Sequence, residues 1–230
     1  MLSRDVAISA WILGSACALM AVLTWRAPGP SSLRRWFVVV IGGAGLAALA
    51  AGTIRGFYAF PASATVIPAD APLAVKALWS LMGIAIGAVG LAAWNISAGL
   101  LVPDNGGRRL ALGTLAVLYG LYAVYVAAAP REYWVSIAAY LPPTLALLAA
   151  LAWRAIARAP GALLGVAGLV TTFVAAAQQQ LQIGIHPVYF NYNALYHLLQ
   201  GLGLVLLQLC AVRLRDPAGA PAAAGLAEVV

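Results

Sequence analysis

Charge is what this sequence has least of. Only 8% of its 230 residues are Asp, Glu, Lys or Arg, against about a quarter in soluble domains. A water-facing surface cannot be made from so few charges, so lipid must be the solvent for most of it. Acid is scarcest: there are six carboxylate side chains, and none falls inside an apolar run. Proton-coupled pumps and transporters usually keep a carboxylate within the membrane, so that class loses weight. Lysine occurs once, as Lys76, and the last apolar run has none. Retinal needs a lysine there for its Schiff base, which excludes a retinal protein. The two cysteines, Cys17 and Cys210, lie in apolar runs near opposite ends of the chain. They read as inert buried thiols, not as a disulfide framework. The basic residues sit singly or in pairs between apolar runs. No basic cluster with interleaved aromatics is present, which argues against nucleic acid as a partner.

What is abundant is hydrophobic sequence, 64% of the chain. It falls into seven stretches, 6–25, 36–54, 73–102, 110–129, 133–153, 161–183 and 193–212. Each is close to the roughly 20 residues that cross a bilayer as a helix. Transmembrane strands would be shorter and would alternate polar with apolar, which these do not. The expected fold is all-α: a polytopic membrane protein, a seven-transmembrane-helix bundle filling residues 1–213, followed by a disordered tail over 214–230. The first stretch is longer than a signal core and is expected to be retained. Pro28-Gly29-Pro30, Pro103-Asp104-Asn105-Gly106-Gly107, Pro130 and Pro160 punctuate the connections. The longest connection, 55–72, carries three prolines and is expected to cap one side.

Basic residues set the orientation. Arg26, Arg34, Arg35, Arg108, Arg109, Arg154, Arg158, Arg213 and Arg215 fall on one side, nine in all. Arg4, Arg55, Lys76 and Arg131 fall on the other. This places the C-terminus in the cytoplasm and the N-terminus outside. Arginine in place of lysine, with much Ala and Gly, points to a bacterial inner membrane. Arg55 and Lys76 flank the long outer loop, where they either meet an anionic headgroup or snorkel to the interface.

Small residues form two stripes, Gly83/Gly87/Gly90 and Gly161/Gly165/Gly168, at the spacing that lets helices approach closely in lipid. Tyr119, Tyr122 and Tyr125 run along one face of the fourth helix, as interfacial anchors or as a pocket wall. Pro142-Pro143 removes backbone donors from the fifth helix and should bend it. The resulting space is either a cavity or an irregularity filled by Tyr140.

Polar residues concentrate at one turn of the chain, between helices six and seven. Gln178, Gln179, Gln180 and Gln182 end helix six; His186, Tyr189 and Asn191 lie between; Asn193, Tyr196, His197 and Gln200 open helix seven. Asn193, His197, Gln200 and Gln208 share one face at helical spacing, and Gln178 and Gln182, with Thr171, form a second stripe. Amides facing lipid are costly, so the stripes should face each other near the outer end. Such groups commonly only hold a bundle together. The sharper reading is a site in which Gln178, Gln182, Tyr189, Asn193, Tyr196, His197 and Gln200 bind a ligand. A metal reading uses His186 and His197, with Asp70 or Glu132 as third ligand, the three protein ligands a catalytic zinc needs.

Seven helices, an outer N-terminus and Asn193-Ala194-Leu195-Tyr196-His197 at the start of the last helix resemble the superfamily of alkaline ceramidases and progestin and adiponectin receptors. Those are membrane hydrolases with zinc held by histidines, two of them as H-x-x-x-H on the last helix. Here Asn193 stands at the first histidine position, and helix two holds no Ser, His or Asp. The resemblance implies His197 as the ligand that carries over.

Three functions remain open. One is an outward-facing polar pocket between helices five, six and seven that binds, senses or transports a lipid or small neutral ligand. The second is a metal-dependent hydrolase of lipid amides or esters. The third is an accessory subunit of a membrane complex.

Overall fold

In lipid a backbone must satisfy its own hydrogen bonds, and long apolar runs do so as helices. The computed structural model describes residues 4–28, 32–58, 66–129, 132–186 and 190–214. It contains α1 (Arg4–Arg26), α2 (Ser32–Phe57), α3 (Leu73–Leu101), α4 (Gly106–Ala128), α5 (Tyr133–Ile156), α6 (Ala162–Gln180) and α7 (Tyr192–Arg213). All seven are long and apolar enough to cross a membrane. Among the described residues there is no strand, only the isolated bridges Val66 to Glu132 and His186 to Phe190. The seven expected stretches and the seven helices coincide, with ends that differ by up to four residues. The expected tail lies outside the described residues from 215 onward, as does 59–65 of the long connection. The described part of that connection is fastened down: Ile67 is buried, and Lys76 Nζ donates to the Ala69 carbonyl at 2.7 Å.

Six helices close a ring in the order α1, α2, α3, α5, α6, α7 and back to α1, each touching the next. The fourth helix stands outside the ring against α3, with only 6% of its apolar window buried. Close approach within the ring rests on glycine. A Cβ on Gly168 would lie 2.7 Å from the Gly203 carbonyl, and one on Gly203 would lie 2.6 Å from the Thr172 methyl. Backbone therefore meets backbone between α6 and α7. Gly14 and Gly45 meet in the same way between α1 and α2. Cys17 and Cys210 are free, buried thiols within the apolar core.

The glycine stripe of α3 receives the tyrosines of α4. A Cβ on Gly87 would lie 2.5 Å from the Tyr122 ring, and one on Gly90 would lie 2.6 Å from the Tyr119 hydroxyl. Tyr122 donates to the Gly83 carbonyl at 2.9 Å and lies 3.1 Å from Ser136 Oγ of α5. Tyr119 donates to the Ala139 carbonyl of α5. That carbonyl is the one Pro143 strips of its helical partner, since proline has no N–H to return four residues back. Tyr119 and Tyr122 are thus neither anchors nor pocket wall; they tie α4 to α3 and α5. Tyr125 alone of the three is exposed, at 51%.

Helix α6 ends in a left-handed turn. Gln182 has φ 55°, its N–H bonds the Gln179 carbonyl, and the Ile183 N–H bonds the Gln178 carbonyl. This pair of bonds is the Schellman arrangement, which normally favours glycine at the left-handed position.

Candidate functional site

The α7 start is fixed by its cap. Asn191 Oδ1 accepts from the N–H groups of Asn193 and Ala194 at 3.0 and 3.1 Å, satisfying donors that a helix start leaves open. Asn191 Nδ2 donates to Asp5 at the start of α1. One turn further along both helices, Ser9 Oγ lies 2.8 Å from His197 Nδ1. Helices α1 and α7 run in the same direction, so these two rungs close the ring side by side. On the other flank of α7, Gln179 Nε2 of α6 donates to Asn193 Oδ1 at 2.9 Å.

The ring encloses a cavity of about 320 Å³. Its walls come from all six ring helices, not from α5, α6 and α7 alone. The two ends differ in chemistry. At the end where α1, α3, α5 and α7 begin, Arg55, Tyr133, Asn193, Tyr196, His197 and Gln200 line it. Deeper in, the lining is mostly apolar: Leu13, Val40, Ala44, Leu169, Leu204 and Leu207, with Thr144 and Thr172, whose hydroxyls bond carbonyls of their own helices. Gln180 and Gln182 also line it and are exposed, which puts the mouth of the cavity at the polar end. From Arg55 to Val40 the α2 wall spans roughly 22 Å at 1.5 Å per residue.

Among the described residues, Arg55 is the one formally charged side chain on this lining, and none of them there is a carboxylate. It lies half-buried in the last turn of α2, so it faces the bundle interior instead of only snorkelling outward. Asn193 is 2% exposed, and its Nδ2 has no hydrogen-bond partner. Buried amides are normally satisfied, so this donor on the cavity wall is an anomaly that a bound acceptor would remove. Tyr196 packs against His197 with ring centroids 5.4 Å apart.

The structure brings together most of the residues expected from sequence. Gln182, Asn193, Tyr196, His197 and Gln200 line the cavity. Gln178 does not. Its side chain donates to the Ile183 carbonyl and, at 3.1 Å, to the Tyr192 carbonyl, so it clamps the connection between α6 and α7. Tyr189 lies outside the described residues. The lining face of α6 is Leu169, Thr172, Phe173, Ala176, Gln179 and Gln180, one residue out of phase with the expected Thr171/Gln178 stripe. Gln208 likewise falls off the lining, where Leu204 and Leu207 continue the α7 face.

Sequence reasoning missed the contribution of α2 and α3. The signal was present in α2 as Ala44, Ala47, Ala48, Ala51 and Arg55, small side chains on one helical face ending in a cation. Trp79, Met82, Ile86 and Val89 supply the α3 wall.

His186 is exposed beside the mouth and is not among the lining residues. Glu132 is exposed and accepts from Trp134 Nε1, and Asp70 is exposed in the connection before α3. Among the described residues no three His, Cys, Asp or Glu side chains form a group that would hold a metal.

A family described as a family of unknown function, DUF6962, matches this chain over residues 6–216. No curated protein matches, and no solved structure does.

Proposed function

We propose that this chain, which belongs to the DUF6962 family, is a membrane binding protein that takes a small amphipathic molecule into the cavity of its six-helix ring. The observation that carries this reading is the lengthwise division of the cavity into a polar and an apolar half. Ligand sites are concave, mostly apolar and fitted with a few convergent polar groups. At about 320 Å³ the space is near the small end of ligand cavities, which run from roughly 300 to 1,000 Å³. It suits one acyl chain or a similar small lipid, and is too small for a two-chain phospholipid.

The nine-to-four distribution of basic residues turns the polar mouth outward and the C-terminus to the cytoplasm. In a bacterial inner membrane the ligand then arrives from the outer leaflet or from outside the cell. A pocket open at one end, with no carboxylate among the described residues of its wall, fits binding or sensing better than proton-coupled pumping.

The hydrolase reading keeps one supporting observation, His197 on the cavity wall. Its zinc would need ligands beyond that histidine. Extraction and mass spectrometry of the purified protein, with metal analysis of the same sample, separates the two. One amphiphile near stoichiometric amount and no metal supports the binding protein. Zinc near one per chain, lost in His197→Ala, supports the hydrolase.

A further inference from the structure

We infer that the head of the ligand is an uncharged group with a hydrogen-bond acceptor and a donor on one edge, as in a primary carboxamide, and that Asn193 and His197 read it. This rests on the cavity being a binding site and adds which head it takes. The sequence pointed no further than to a neutral ligand. The folded ring shows which hydrogen-bonding atoms of these two side chains are already engaged and which are left over.

Asn193 leaves a donor. Its Oδ1 accepts from Gln179 Nε2 at 2.9 Å, so the oxygen is committed to α6. The residue is 2% exposed and lines the cavity, and its Nδ2 has no hydrogen-bond partner. Buried polar groups are normally satisfied, so the empty place beside Nδ2 suits an acceptor.

His197 leaves an acceptor. Its Nδ1 lies 2.8 Å from Ser9 Oγ, and Ser9 donates to the Val6 carbonyl at 3.1 Å. Serine in a helix commonly bonds a carbonyl three or four residues back in this way. With its one hydrogen spent there, Ser9 accepts from Nδ1–H. A neutral imidazole carries a single N–H, so Nε2 of this cavity-lining ring is an acceptor.

The two residues stand four apart on α7 and are neighbours on one helical face, with Cβ atoms about 6 Å apart. A head lying against that wall meets the donor and the acceptor from the same side. Its own acceptor and donor must therefore share an edge, as the C=O and one N–H of a primary carboxamide do. An ester or a tertiary amide only accepts and leaves His197 unanswered; an ammonium only donates and leaves Asn193 unanswered. Tyr133, Tyr196 and Gln200 at the same end of the cavity either donate or accept, so they discriminate less. The tail runs toward Leu204 and Leu207, which offer it no hydrogen bond.

The test is equilibrium binding to the full chain in neutral detergent, using dodecanamide, N,N-dimethyldodecanamide, methyl dodecanoate and dodecylamine. The tail is constant and only the head changes. Dodecanamide should bind tightest, and the other three weaker by about tenfold or more, the effect of one buried hydrogen bond left unmade. His197→Phe removes Nε2 and should bring dodecanamide down to the level of the ester. Asn193→Asp keeps an oxygen for Gln179 but puts an acceptor where the free donor was, and should weaken all three carbonyl probes. If any of the other three binds the wild type as tightly as dodecanamide, or the preference survives in His197→Phe, the inference is overturned and the cavity reading stands. If none of the four binds, the cavity reading itself fails. The wild-type series decides the matter even where a variant does not fold.

Discussion

Ser9 and His197 are 188 residues apart in sequence and 2.8 Å apart in space. The Ser9 hydroxyl also lies 3.1 Å from the Val6 carbonyl, which can only accept. One hydroxyl hydrogen cannot serve both partners. With the hydrogen on the Val6 side, Ser9 accepts from His197 Nδ1–H, and Nε2 is left as the acceptor of a neutral ring. This contact and the Asn191 to Asp5 bond one turn away join the first helix to the last.

Removing that contact should loosen the ring. Ser9→Ala leaves a buried ring nitrogen without its partner, at a cost of about 1–3 kcal/mol. Thermal unfolding in detergent should show a lower midpoint for Ser9→Ala, and Asp5→Ala should lower it through the rung one turn away. An unchanged midpoint in both would mean that the α1 to α7 contact does not hold the ring.

The Tyr119 to Ala139 bond makes a sharper prediction, because its cause is local. Tyr119→Phe should destabilise by about 1–2 kcal/mol, the cost of a carbonyl left unsatisfied away from water. In a Pro143→Ala background the restored N–H supplies the helical partner, and the same tyrosine change should cost clearly less. A double-mutant cycle on unfolding free energies measures the coupling. Additive effects would contradict the assignment.

Glycines on touching and open faces should behave oppositely. Gly203→Leu pushes a side chain into Thr172 and the Gly168 carbonyl and should abolish folded protein in a detergent size-exclusion assay. Gly113→Ala and Gly120→Ala on α4 meet nothing within 4 Å. They should be neutral, or stabilising by up to about 1 kcal/mol, since alanine is the better helix former.

The left-handed cap of α6 gives a stability prediction with no loss of contacts. A non-glycine residue in this conformation costs about 1–2 kcal/mol. Gln182→Gly should therefore raise the unfolding midpoint, while a β-branched residue such as Gln182→Val should lower it.

Much of the fold was legible in the sequence because hydrophobic runs of bilayer length have only one economical backbone. The phase of each helix was harder. Gln178, Gln179, Gln180 and Gln182 place four amides within five positions, so almost any face of α6 looks polar. The true lining face is set by Leu169, Thr172, Phe173 and Ala176 deeper down. Gln182 leaves the helical phase altogether, because its φ of 55° turns the chain away. On α2 the alanines that make room for the cavity were a signal only together with Arg55 on the same face, since lipid and cavity are equally acceptable to a methyl group. The role of Arg55 depended on that phase and was hidden with it. Likewise, nothing in the sequence of α4 marks it as the helix outside the ring.

The measurement closest to the central claim is the occupancy of the cavity when its volume is removed. Ala47 lies on the cavity wall of α2, and Ala47→Phe projects a ring into the space. Native mass spectrometry should then show wild-type protein carrying one bound amphiphile of defined mass, and Ala47→Phe folded but without it. Equal amounts of the same amphiphile on both proteins would contradict the claim and place the bound molecule on the lipid-facing surface.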